Sequence, residues 1–332
     1  MRKLLTLIVL SSTLLTVSVV LAEHTSVGDV RAADKHEPLV HAQIVHDRTW
    51  GNGLRIVDAT YVSPYGRRMQ IKVLAPRAPG RTLPFVWRFA PSFWARAPRC
   101  QPFTRSEPAR WHFVYVCVSI DDRSGRVGDH AFGDPKALRE ALRLRGAIEQ
   151  IVKAEASKEI IIGSSASSVD ALDAVGIEPH RFQTAIIFDS PTNLAARYWD
   201  LSKGPRKHTV VEYGGPPTGS RRGAYLNRSP IARLKPLAAT STDLRFYMSR
   251  TDQVACDPQQ MPVFLHLLAR DRGTNIPVMM GTWQHGLGWS DYAAYEMRRL
   301  GIAPATTPVN VPEVRIVRDG GSDHFGCSLT LH

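Results

Sequence analysis

Cysteine is scarce in this chain: Cys100, Cys117, Cys256 and Cys327 are the only four in 332 residues. None of their spacings resembles a zinc site, and the Asp121-Asp122 pair has no histidines clustered beside it. Neither a metal ion nor another cofactor is therefore expected. Beyond the N-terminal segment no apolar run reaches the roughly 20 residues that a membrane helix needs, so the mature chain is expected to be free of spans. Internal repeats and low-complexity tracts are also missing. Acidic residues are in the minority, 30 against 42 Lys and Arg, giving a net charge of +12. Such an excess attracts anionic polymers, membrane surfaces or acidic substrates. The basic residues, however, are dispersed (Arg67, Arg68, Arg88, Arg96, Arg221, Arg222, Arg298, Arg299), and no nucleic-acid-binding motif accompanies them. The charge reads mainly as solvated surface, with an anionic surface as a candidate partner and no specific nucleic acid.

What is present begins with a leader. Arg2 and Lys3 precede an apolar stretch from Leu4 to Leu21, and Val20-Leu21-Ala22 fits a cleavage site before Glu23. Residues 1–22 are read as a secretory signal and 23–332 as a single domain, secreted or periplasmic. An oxidising compartment allows two disulfides. Cys100 with Cys117 and Cys256 with Cys327 is the preferred pairing, with a buried thiol at Cys117 as the alternative.

Further along, apolar runs alternate with helical patterns. Leu54–Val62 and the alternating Met69, Ile71, Val73 suggest two paired strands. Leu83–Phe89 and Trp111–Ile120 read as strands buried on both faces, with Pro84 suiting only the first residues of its strand. A helix is expected from Asp134-Pro135 through Lys153, then a strand at Ile160–Gly163, a short helix from Ser165 to Ala174, and a strand at Ala185–Phe188. Residues 200–226, rich in Gly, Pro, Lys and Arg, suggest a cap or lid, with one short strand at Thr209–Val211. Leu244–Met248, the helix Pro262–Arg270 and the strand Ile276–Met280 complete the alternation, and Val314–Val317 is a last short strand. This order argues for an α/β fold with a mainly parallel central sheet and helices on both faces, whose ligands bind at the carboxyl ends of the strands.

Three chemically useful residues fall at those ends. Ser165 follows a strand and has small residues two positions away on either side, Gly163 and Ser167, as a strained strand-to-helix elbow requires. Asp252 follows Leu244–Met248, and His285, with Gly286 after it, follows Ile276–Met280. A serine hydroxyl needs a histidine base, itself oriented by a carboxylate. Ser165, Asp252 and His285 supply that set. Asp189 and Asp257 are rival acids and His324 is a rival base, whereas His130 reads as a loop residue. Tetrahedral intermediates also need two amide donors. The backbone N–H groups of Ala166 and of Ala90, or else Phe89, are the candidates. Phe89, Phe93 and Trp94 are candidates to line an apolar cleft.

From about Leu54 to Trp289 the chain resembles the α/β-hydrolase superfamily, particularly exported esterases of the esterase-D and feruloyl-esterase kind. The resemblance lies in the elbow, in Pro179-His180-Arg181-Phe182-Gln183-Thr184-Ala185, in Ser229-Pro230-Ile231 before the acid strand, and in His285 before Gly286 and Trp289. It implies an α/β-hydrolase fold with Ser165 as nucleophile, Asp252 as acid and His285 as base. The implied activity is that of a carboxylesterase working through an acyl-enzyme on a small-molecule or polymer-linked ester. The departures are Ser167 in place of a second glycine, a short elbow helix, and no His-Gly-Gly oxyanion motif. Acyl transfer by the same residues, or noncatalytic polymer binding on the same scaffold, are the competing readings.

Overall fold

The structure, a computed structural model, describes residues 42–63, 68–90, 103, 106–120, 133–201, 213–252, 254–285 and 290–318. The leader, Cys100, Cys327, Asp121, Asp122, His130, His324, Phe93, Trp94 and the Thr209–Val211 segment lie outside these residues.

A ten-stranded sheet organises the described chain. The strands are β1 (Gln43–Trp50), β2 (Leu54–Val62), β3 (Arg68–Pro76), β4 (Thr82–Ala90), β5 (Val114–Ile120), β6 (Glu155–Ser164), β7 (Thr184–Phe188), β8 (Asp243–Ser249), β9 (Ile276–Gly281) and β10 (Glu313–Val317). Their order is β1-β2-β3-β5-β4-β6-β7-β8-β9-β10. The stretch from β5 to β9 is parallel. The first three strands and the last pair antiparallel at the two ends.

The apolar runs follow from this layout. Phe85, Trp87 and Phe89 of β4 join one core cluster, while Val86 and Ala90 join another. Ile161 and Ile187 likewise face the first cluster, and Ile160, Ile162, Ile186 and Phe188 the second. A central strand covered on both faces has no polar side to show, so its sequence reads as continuous rather than alternating. Pro84 sits near the start of β4, where the pairing with β6 slips register between Leu83 and Pro84. That slip accommodates a residue with no amide hydrogen to donate.

Helices pack against the sheet: α1 (Glu107–Arg110), α2 (Pro135–Leu142), α3 (Arg145–Val152), α4 (Ala166–Ile177), α5 (Leu194–Asp200), α6 (Arg221–Asn227), α7 (Leu234–Ala239), α8 (Met261–Arg272) and α9 (Ser290–Arg299). The Asp134 carboxylate caps α2 by accepting from the Lys136 amide at 3.0 Å, with Pro135 in the first turn. The single helix expected through Lys153 is two helices, broken by a tight turn at Arg143 and Leu144. The expected strand from Trp111 begins at Val114, because Trp111 closes α1. The elbow helix α4 is not short. It runs 12 residues, past Gly176 to Ile177.

One buried ion network holds the base of β6. Glu159, 3% exposed, accepts from Arg181 at 2.9 Å and from Arg145 at 3.0 Å. Arg181 also lies over the rings of Trp87 and Phe182. The segment quoted above for its family likeness thus ties β6 to the strand that follows. At the opposite face of the sheet, buried Glu296 of α9 accepts from Arg245 at 3.1 Å and from the Tyr247 hydroxyl and Arg299, both at 2.5 Å. This network fixes α9, the helix that follows the His285 loop, onto β8.

Candidate active site

The corner between β6 and α4 is built around Ser165, whose φ of 52° and ψ of −126° fall outside the regions a serine ordinarily adopts. Such strain persists only where the surroundings impose it. Three contacts do so. The Ser165 amide donates to Phe188 O of β7 at 3.0 Å, and the Ser168 amide donates back to Ser165 O at 3.0 Å. Gly163 allows the chain to fold over itself: a Cβ there would lie 2.5 Å from Ser168 Cα and 2.6 Å from Ser167 O.

Ser167 is also accounted for. Its buried hydroxyl accepts from the Ser164 amide and donates to Ser164 O, both at 2.8 Å. The serine thus satisfies two backbone groups inside the turn, a role a glycine has no atoms to fill. Beneath it, Arg88 donates to Ser164 Oγ at 3.3 Å. Arg88 is 7% exposed, which corrects its reading as solvated surface charge. Burial lowers its pKa, and interaction with Tyr115 partly offsets that.

Three residues from three strand ends converge at the elbow. Ser165 Oγ lies 2.6 Å from His285 Nε2, and His285 Nδ1 lies 2.6 Å from Asp252 Oδ2. A carboxylate only accepts, so the imidazole proton belongs on Nδ1 and Nε2 is left to accept from the serine hydroxyl. Ser165 is half-buried, His285 exposed and Asp252 1% exposed. Asp252 Oδ1 also accepts the amides of Val254 at 2.7 Å and Ala255 at 3.4 Å. Burial works to raise its pKa, but the bond and charge of His285 and the two amides outweigh it, leaving the carboxyl below its ordinary value.

The rivals fare differently. Asp257 caps its own turn by accepting from Gln259 N at 2.8 Å. Asp189 does arrive at the site, beside Asp252. It is 2% exposed, has a φ of 45°, and accepts from Ser249 N at 2.9 Å and from the Trp283 indole N–H. Burial first, and the neighbouring Asp252 second, hold its carboxyl well above the ordinary range. Ser249 also binds Trp283, accepting its amide at 3.0 Å and donating to its carbonyl at 2.6 Å, so the loops after β8 and β9 are bolted together. Sequence reasoning missed Trp283, Ser249 and this use of Asp189. The signal for Asp189 was there: it follows an apolar strand, as Asp252 does.

Ala166 is the first residue of α4, so its N–H has no acceptor within the helix. Ala90 is the last residue of β4, beside the elbow strand. Phe89 is wholly buried in the core rather than in a cleft. Above the elbow, Ala166 and Val169 pack against Leu194, Ala195 and Tyr198 of α5 and Tyr225 of α6. Tyr213 stacks on Tyr225 at 3.9 Å between centroids. Part of the 200–226 stretch, Tyr213 and Tyr225, therefore sits on α4, the helix that begins after Ser165. Among the described residues, the group with ligand atoms close enough to hold a metal is Asp189, Asp252 and His285, all within 4.8 Å of one another.

No family model and no curated protein matches the sequence. Solved structures do. An acetyl xylan esterase from Paenibacillus sp. R4 aligns over 83% of this chain and 93% of its own, at 15% identity and a TM-score of 0.57. An S-formylglutathione hydrolase from Agrobacterium tumefaciens aligns over 78% and 100%, at 14% identity and a TM-score of 0.54. Prolyl oligopeptidase B from Galerina marginata matches 76% of this chain but only 38% of its own length, at 14% identity and a TM-score of 0.56. Together with the sheet order, these likenesses show the fold.

Proposed function

We propose, from an α/β-hydrolase fold with its serine, histidine and aspartate in hydrogen-bonded series, that this protein is a serine hydrolase acting on carboxylic esters through an acyl-enzyme. The observation that carries the reading is the pair of 2.6 Å contacts meeting at a strained Ser165. Ser165 Oγ attacks the substrate carbonyl as its proton passes to His285 Nε2. Asp252 holds Nδ1–H and stabilises the imidazolium. The proton then goes to the leaving alcohol, and water repeats the sequence to release the acid. The Ala166 amide, with Ala90 or the loop after it, would face the oxyanion. One such donor is worth about 100- to 1000-fold in rate.

The exposed His285 leaves room for a small or polymer-linked ester. Export through the 1–22 leader, disulfides at Cys100–Cys117 and Cys256–Cys327, and attraction of the basic surface to an anionic partner belong to the same reading; no described cysteine is free. The 200–226 stretch, with α6 packed through Tyr225 against α4 and α5, is the cap.

Fluorophosphonate labelling followed by intact mass tests the mechanism. One adduct is expected on wild type, none on Ser165→Ala, and a slowed reaction on His285→Ala. An unlabelled but folded wild-type protein overturns it and leaves the noncatalytic binding scaffold in its place. Paired ester and amide substrates then separate esterase from peptidase chemistry, and an added alcohol acceptor separates hydrolysis from acyl transfer.

A further inference from the structure

Two carboxyl groups, both almost without solvent, lie beside one imidazole. Asp189 and Asp252 are 2% and 1% exposed, and one oxygen of each and one nitrogen of His285 lie within 4.8 Å of one another. Two adjacent buried carboxylates do not both ionise, because each charge opposes the other without water to screen it. Hydrogen-bond donors decide which one holds the charge. Asp252 receives His285 Nδ1–H and the amides of Val254 and Ala255. Asp189 receives one amide, from Ser249, and one indole N–H, from Trp283. Arg197 of α5 adds a positive charge whose field reaches Asp252, as well as Asp200 and Asp257. Every difference places the negative charge on Asp252 and the proton on Asp189.

We propose that Asp189 is a positioning residue of this site: it keeps its proton, donates it to Asp252 as a hydrogen bond, and pins the acid loop to the base loop through Ser249 and Trp283. The proposal rests on the reading of Asp252 and His285 as acid and base. Asp189 touches neither substrate nor serine. Its O–H holds the Asp252 carboxylate toward His285 Nδ1, while its two acceptor contacts hold the backbone of one loop and the side chain of the other. One of its oxygens also lies within 4.8 Å of an imidazole nitrogen, close enough to matter if Asp252 is neutralised. In that case Asp189 releases its proton to solvent and becomes the carboxylate beside His285.

The test is the pH dependence of kcat/KM on a chromogenic acetyl ester for Asp189→Asn, Asp189→Ala, Asp252→Asn and the double variant Asp189→Asn/Asp252→Asn. Near-ultraviolet circular dichroism reports whether each is folded. Asparagine carries a neutral N–H donor and tolerates the positive φ, whereas alanine has neither property. Asp189→Ala is expected to lower kcat by about tenfold or more with KM held, and Asp189→Asn to recover most of that loss. The acid limb of the Asp189→Asn profile should coincide with that of wild type, because no charge has been removed. The double variant should fall about tenfold below Asp252→Asn.

An acid limb displaced downward by about one pH unit in Asp189→Asn would mean that Asp189 carries charge, and overturns the proposal. Equal rates for Asp252→Asn and the double variant overturn the substitute role. Absence of a fluorophosphonate adduct on wild type is a separate failure, that of the hydrolase reading itself. In that case the melting temperature of Asp189→Asn against wild type between pH 4 and 8 still reads the proton. The variant should gain stability relative to wild type as pH rises, and a flat difference overturns the proposal.

Discussion

Replacing Gly163 with alanine asks whether the elbow is as tight as its geometry requires. The added methyl would stand 2.5 Å from Ser168 Cα, 2.6 Å from Ser167 O and 2.8 Å from Ser167 C. These are main-chain atoms of the first turn of α4, so no side chain can swing aside. The overlap is roughly 1 Å inside ordinary carbon–carbon contact, and α4 must move by about that much relative to β6. Overpacking of this kind costs about 1–3 kcal/mol, a fall in Tm of roughly 2 to 5 °C for a domain of this size. The chemistry should suffer more, since a displacement of about 1 Å at a reacting group costs on the order of 100-fold. The assay pairs the second-order rate of fluorophosphonate labelling with a thermal melt. Gly223→Ala in α6 is the control, because a Cβ there meets nothing within 4 Å. It should leave labelling alone and stabilise by about 0.5–1 kcal/mol through helix propensity. A Gly163→Ala protein that labels at the wild-type rate with an unchanged melt would refute the close approach on which the elbow argument rests.

Other outcomes follow from the same structure. Ser167→Ala strands the Ser164 amide and carbonyl in a buried turn, and should cost about 1–3 kcal/mol by denaturant titration. Glu296→Ala removes the shared acceptor of Arg245, Tyr247 and Arg299. It is expected to destabilise by about 3–5 kcal/mol and to slow labelling through the displaced His285 loop. The two site carboxyls should give opposite pH slopes in thermal melts. Asp252 is depressed in the fold, so its contribution is present above the ordinary aspartate range and lost as pH falls through its lowered value. Asp189 is raised, so its contribution is present in acid and lost as pH climbs from the ordinary aspartate range toward its raised value. Asp252→Asn should therefore flatten the acid side of the stability profile, and Asp189→Asn the side above it.

Much of this molecule was legible before its structure. Ser165, Asp252 and His285 each stand just beyond an apolar run, and a parallel sheet brings the carboxyl ends of its strands together. The parallel core was readable for the same reason: strands covered on both faces show as uninterrupted apolar text. What escaped was set by partners distant in the chain. Arg88 looks like any surface arginine until β4 is placed beside the elbow strand, where its guanidinium finds Ser164. Asp189 carried the right local signal, yet only the third dimension shows it bonded to Ser249 and Trp283 while Asp252 meets the imidazole nitrogen. β1 has exposed residues along its whole length and so displays no apolar alternation at all. Its ladder to β2 is what holds it. The short helices α5 and α7 offer too few turns for a period to emerge, and Ser167 looked like a defect because its value lies in two backbone bonds.

The sheet order has one more consequence, for how the site would come apart. Ser165 leaves β6, flanked on both sides by further strands, whereas His285 leaves β9, which among the described residues has only the five-residue β10 between it and the sheet's edge. Val314 and Ile316 of β10 are exposed, so little burial resists its peeling away. Amide exchange should therefore rank the two halves of the site differently, with the β9–β10 ladder opening at lower free energy than the β4–β6–β7 centre. Under mild denaturant the histidine would loosen while the serine stayed held, and turnover would fade before the bulk of the fold had melted.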